Sequence, residues 1–101
     1  MIVTQHLLIK GRVQGVSFRF FTKTEAEKYN ISGWVRNLSD GRVEAVAQGE
    51  SKNFDSFLVK VRRGPLPAKV ESIEINKIDL QEQLTEFSIE ENSEKTWLEK
   101  S

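Results

Sequence analysis

The run Gly11-Arg12-Val13-Gln14-Gly15-Val16-Ser17-Phe18-Arg19 holds the residue types in this chain best suited to chemistry on an anion. Its two glycines let the backbone approach a ligand closely, and N–H groups at the start of the helix that follows point at negative charge. Arg19 adds a planar, permanently charged fork that matches phosphate oxygens. The segment therefore reads as a phosphate-binding catalytic loop. It has neither the lysine of a nucleotide-binding loop nor an acidic metal partner nearby. Ser17 as a nucleophile would need an adjacent base, and none is evident. His6, the one histidine, precedes the first apolar alternation and reads as solvated surface. Cysteine is absent, which removes disulfides, thiolate catalysis and thiolate metal sites together. No His/Asp/Glu cluster has ligand spacing, so no metal and no cofactor are expected.

The loop must be held by the elements on either side of it. Leu7, Ile9, Gly11 and Val13 alternate with Leu8, Lys10 and Arg12, the pattern of a half-buried strand. Phe18, Phe21, Thr22, Glu25, Ala26 and Tyr29 recur at three- and four-residue steps, an amphipathic helix ending near Asn30. Residues 31–38 form a second strand. Ser39-Asp40-Gly41 is a hairpin turn, and Asp40 a turn residue. Val43, Ala45 and Ala47 alternate along a third strand, whose inward alanines leave room for a close-packed helix. Phe54, Phe57, Leu58 and Val61 mark a second helix over 51–63, with Arg62-Arg63 complementing its carbonyl end. Gly64-Pro65-Leu66-Pro67 stops it. Val70, Ile73 and Ile75 mark a fourth strand, and Phe87 and Ile89 a short last one ending in the solvated pair Glu90-Glu91.

This order, β-α-β-β-α-β plus a short strand, predicts an α+β ferredoxin-like two-layer sandwich: an antiparallel sheet of core order 4-1-3-2 with both helices on one face. The first and second strands then run the same way with the third between them, so their C-terminal ends share one sheet edge. The loop after Val13 and the pair Arg36-Asn37 face each other there across two strand spacings, on the order of 10 Å. An anion with an attacking water could bridge that gap. Gly33, Val35 and Asn37 share the helix-side face, so Asn37 is a polar amide ending an apolar row. Trp34 falls on the opposite face and reads as sheet packing.

A length of 101 residues suggests one domain. The apolar fraction of 38% and charged fraction of 30% are those of an ordinary globular protein, and no window is apolar enough to span a bilayer. With no leader pattern and no cysteine, a cytoplasmic protein without a membrane partner is expected. Net charge is zero but uneven. Residues 1–63 carry 11 Lys/Arg against 6 Asp/Glu, and residues 64–101 carry 4 against 9. The loop thus lies in the basic part, yet the excess is too scattered for a nucleic-acid footprint.

The glycine–arginine run and Gly33-Trp34-Val35-Arg36-Asn37-Leu38-Ser39-Asp40-Gly41-Arg42-Val43-Glu44 resemble the two signatures of the acylphosphatases. The likeness extends through 45–49, 62–65 and 87–89, covering roughly residues 7–91. It implies metal-independent hydrolysis of small-molecule acyl phosphates to a carboxylate and inorganic phosphate. It also implies that Arg19 and the main-chain N–H groups of Gln14, Gly15, Val16, Ser17 and Phe18 bind the phosphate, and that Asn37 positions the attacking water. A neutral amide is no general base, so the substrate phosphate is expected to take the water's proton.

Two rival readings share the fold. An RNA-binding module would need paired exposed aromatics on the first and third strands, which are missing. A non-catalytic acylphosphatase-like domain, as found at the start of the large hydrogenase-maturation carbamoyltransferases, is the other; the chain's length favours a freestanding hydrolase, which is expected to be a monomer. Residues 1–91 are expected to form the domain and 92–101 a polar tail. Trp97-Leu98 in that tail reads as a loose dock on its own domain or as a self-association contact.

Overall fold

A computed structural model describes residues 1–99 of the chain. Its elements are β1 (Ile2–Arg12), α1 (Phe18–Lys28), β2 (Ser32–Asn37), β3 (Val43–Glu50), α2 (Ser51–Arg63), β4 (Lys69–Lys77), β5 (Phe87–Ile89) and a 3₁₀ turn, Trp97–Glu99. The sheet order is β4-β1-β3-β2-β5, the ferredoxin-like arrangement with the short extra strand at the β2 edge. The four core strands pair antiparallel. β5 lies parallel to β2, which makes the whole sheet mixed.

β1 is five residues longer at its start than the apolar alternation indicates. Ile2 to His6 pair with Glu50 to Val46 of β3, and Gln5 and His6 also pair with Lys77 and Asn76 of β4. This corrects the placing of His6. It sits within the strand and is fully buried, because the face opposite the helices is itself covered there by the C-terminal segment. A histidine among Thr4 and Gln5 looks like a surface pattern when only one buried face is assumed.

β4 breaks its own alternation between Val70 and Ile73. The register against β1 shifts there: Lys10 faces Ser72 and Gly11 faces Val70, leaving Glu71 as the extra residue of a bulge. Gly11 is required at this bulge. Its φ is +135°, and a Cβ built on it would lie 2.1 Å from the Lys69 carbonyl oxygen.

The core fills the space between the sheet and the two helices. Leu7, Ile9, Val35, Val43, Ala45 and Ala47 pack there with Phe18 and Ala26 of α1 and Phe54, Phe57 and Val61 of α2. Phe57 meets Phe54 and Phe87 edge-on, with ring centroids 5.9 and 6.4 Å apart. Each of the larger of these side chains, valine, leucine, isoleucine or phenylalanine, contributes about 1.5–3 kcal/mol. On the open face, Trp34 is half-buried beneath the Arg36 guanidinium, 4.7 Å from its ring centroid. Among the described residues no helix is long and apolar enough to cross a membrane.

Candidate active site

The β1–α1 loop turns sharply before the helix starts. Gly15 has φ +73° and Ser17, the residue preceding α1, has φ +62°. A Cβ on Gly15 would meet nothing within 4 Å, so conformation rather than space requires glycine there. Ser17 makes no side-chain cap, and no acidic residue lies in the first turn of α1. The first N–H groups of an eleven-residue helix are thus left for a ligand, at the end where the helix dipole favours negative charge.

These residues line an open groove of about 400 Å³. Its walls are Val13, Gln14, Gly15, Ser17, Phe18, Arg19 and Phe20 from β1, the loop and α1, Asn37 from β2, and Ile89 from β5. Arg19 and Asn37, distant in sequence, therefore meet in one depression at the shared ends of β1 and β2. Val16 does not line it; its side chain goes into the core, as does that of Phe18. Arg19 is half-buried, and its Nη1 lies 3.5 Å from Asn92 Oδ1. Asn37 Oδ1 is buried and has no hydrogen-bond partner among the described residues. An unpaired buried acceptor is costly, about 1–3 kcal/mol, unless a donor such as water completes it. No carboxylate or imidazole lines the groove among the described residues.

Gln14 does more than its backbone position indicates. Its side-chain Nε2 donates to the carbonyls of Leu38, at 2.8 Å, and Arg42, at 2.9 Å. The loop is thereby tied across the sheet edge to the β2–β3 hairpin, which carries Asn37 at its start. Asp40 acts as a turn residue, accepting from the Arg42 backbone N–H and pairing with its guanidinium. Phe20 and Ile89 are the other wall residues that the motifs leave out. A signal for each exists: Phe20 is an aromatic off the apolar stripe of α1, and Ile89 follows the buried Phe87 in phase along β5.

A separate polar cluster lies on the opposite face of the sheet and does not join the groove. His6 Nε2 lies 2.6 Å from Glu44 Oε2, and Arg36 Nε donates to Glu44 Oε1 at 2.8 Å. Glu44 is fully buried. Among the described residues no group of three or more His, Cys, Asp or Glu is placed to hold a metal ion.

The acylphosphatase family model matches residues 5–89 of the chain. An acylphosphatase of Methylococcus capsulatus is 42% identical over 84 residues, which span 83% of this chain and 91% of that protein. One of Oceanobacillus iheyensis is 46% identical over 82 residues, or 80% of this chain and 90% of that protein. The crystal structure of acylphosphatase from Bacillus subtilis superposes with a TM-score of 0.83 at 39% identity, covering 88% of this chain and 98% of that one. Full-length HypF, in a phosphate- and nucleotide-bound form, superposes at 0.85 with 29% identity over 93% of this chain, but only 12% of HypF is involved.

Proposed function

The chain belongs to the acylphosphatase family, whose reaction is hydrolysis of acyl phosphates, and we propose that Arg19 and Asn37 carry that reaction in the groove between α1 and β2. Arg19 and the N–H groups of Gln14 to Phe18 hold the phosphoryl oxygens. Asn37 Oδ1 accepts a hydrogen bond from a water and so aims its lone pair at phosphorus. The water oxygen bonds to phosphorus, the bond from phosphorus to the carboxyl oxygen breaks, and the carboxylate leaves with that electron pair. The water's proton passes to a phosphoryl oxygen. The products are a carboxylate and inorganic phosphate.

The observation that carries this reading is the buried Asn37 Oδ1, unpaired among the described residues, in a groove that also holds Arg19 and to which no described residue brings a carboxylate or imidazole base. An acyl phosphate is already activated by its carboxylate leaving group, so positioning and charge stabilisation suffice. The one histidine lies on the other face of the sheet, paired with Glu44, and is no candidate for the missing base. The catalytic rate is therefore expected to be flat across neutral pH. A bell-shaped profile with an apparent pKa near that of histidine would overturn the substrate-as-base step.

The reading includes metal-independent turnover by a cytoplasmic monomer, with the groove itself built by the 1–91 domain and no nucleic-acid or membrane partner. The extent of the catalytic unit is supported by a groove lined by residues between Val13 and Ile89. The test is benzoyl phosphate hydrolysis in excess EDTA, comparing the wild type with Arg19→Gln. Turnover that vanishes with EDTA in the wild type, or that survives intact in Arg19→Gln, would refute it.

A further inference from the structure

The segment after β5 continues along β2 rather than leaving the molecule. Glu90 N–H donates to the Val35 carbonyl at 2.9 Å, and Ser93 N–H donates to the Asn37 carbonyl at 3.0 Å. β2 advances two residues between these bonds while the tail advances three, so one residue is bulged out at Glu91-Asn92. Ser93 then accepts from Ser39 N–H at 2.9 Å, bracketing the end of β2 from both sides of Leu38. Beyond the final bonds of β5, this is the contact that covers the outer edge of β2 at Asn37. On its inner edge Asn37 faces Val43 of β3.

Four residues later the tail is pinned again, on the open face of the sheet. Trp97 N–H donates to Glu44 Oε2 at 2.7 Å, and the indole stacks on His6 with centroids 6.2 Å apart and planes 22° apart. Glu44 thus takes donors from β1, β2 and the tail. Between the two anchors the chain is stiffened. Ser93 Oγ donates to the Lys95 carbonyl at 2.8 Å and lies 3.2 Å from Lys95 N–H, and Arg36 Nη2 reaches the same carbonyl at 3.5 Å.

We propose that the segment from Ser93 to Trp97 is a positioning strap for Asn37: the stack of the Trp97 indole on His6, beside its N–H bond to Glu44, holds Ser93, and Ser93 holds the end of β2 where the water is aimed. The inference rests on the role given to Asn37 above. Neither Ser93 nor Trp97 touches the groove, so both act through Asn37. The phosphate cradle stands on α1 and its loop, which the tail meets through a long contact, Asn92 Oδ1 3.5 Å from Arg19 Nη1, and through Leu38, whose carbonyl holds Gln14. The strap's backbone bonds end on Asn37 and Ser39, so it governs the rate of attack far more than phosphate binding.

The test is a double-mutant cycle on benzoyl phosphate hydrolysis, with the inhibition constant of inorganic phosphate measured alongside. Trp97→Ala is expected to lower kcat about tenfold, since small misplacements of a positioning group are costly. It should shift phosphate inhibition less than twofold, and Trp97→Phe, which keeps a stacking ring, should recover most of the rate. In the Asn37→Ala background the same Trp97→Ala change should cost less than twofold, because the residue through which the strap acts is gone. Ser93→Pro, which deletes the N–H and spares the Glu44 anchor, should reproduce the kcat loss if Trp97→Ala unfolds the tail too broadly. Equal losses in both backgrounds, or kcat and phosphate inhibition falling together, would overturn the strap. A wild-type kcat in Asn37→Ala alone would instead overturn the water-positioning role beneath it.

Discussion

Arg19 and Asn37 divide the chemistry between a charge and an amide, and each division predicts a different failure. Arg19→Lys keeps the charge but replaces a planar fork with a point donor. Turnover is expected to fall about 100-fold or more, about 3 kcal/mol of lost transition-state stabilisation. Inorganic phosphate should also inhibit more weakly, measured by competition against benzoyl phosphate. Asn37→Ala should lose a similar factor in kcat with phosphate inhibition preserved, since the amide addresses the water and not the phosphoryl oxygens. Both residues stand out in the sequence for a physical reason: an arginine entering a helix after two glycines, and an amide closing an apolar row, have few structural uses. His6 does not stand out, because a buried polar residue and a solvated one alternate in the same way along a strand. Its environment depends on Trp97, ninety-one residues away.

At the scale of elements, the site depends on two pieces of chain from opposite ends of the sheet's logic being locked together. The order of strands and the shared ends of β1 and β2 follow from right-handed crossovers, so the meeting of loop and Asn37 was legible from element order alone. The bulge opposite Lys10/Gly11 was not, because the skipped residue, Glu71, carries no signal beyond a three-residue gap between apolar positions. Nor was the Gln14 side chain, whose reach to the Leu38 and Arg42 carbonyls depends on where the hairpin folds back. That lock gives a prediction. Gln14→Ala leaves its own backbone N–H in place but removes one of the two donors from each of the Leu38 and Arg42 carbonyls and loosens the loop. Stability should fall by about 1–2 kcal/mol, at about 1 kcal/mol for each bond lost. The KM for benzoyl phosphate should rise severalfold, because the cradle is no longer held in its binding shape. Unchanged KM with a lowered urea midpoint would confine Gln14 to structure.

The whole molecule is tied together on the open face of its sheet by one carboxylate. Glu44 on β3 takes hydrogen bonds from His6 on β1, Arg36 on β2 and the backbone of Trp97 in the tail. Burial is the strongest single influence on Glu44 and pushes its pKa up; the bonds from His6, Trp97 and Arg36 together outweigh it and hold the pKa below the ordinary 4.5. The unfolded chain therefore takes up this proton at a higher pH than the folded one does. The stabilisation from Glu44 is fully present above pH 4.5 and is lost as the pH falls through the lower, folded value. Glu44→Gln keeps the size of the side chain and removes its titration and charge, leaving Arg36 without its buried counter-ion. At pH 7 the variant should be less stable by about 3 kcal/mol, the usual consequence of breaking a buried pair from one side. Asp40, whose pKa is also held down by Arg42, titrates alike in both proteins and drops out of the comparison. Urea midpoints taken at about pH 7, 5 and 3.5 should show the wild type losing its advantage in the acid range. Two curves that stay parallel throughout would mean that Glu44 does not supply the acid sensitivity of the fold.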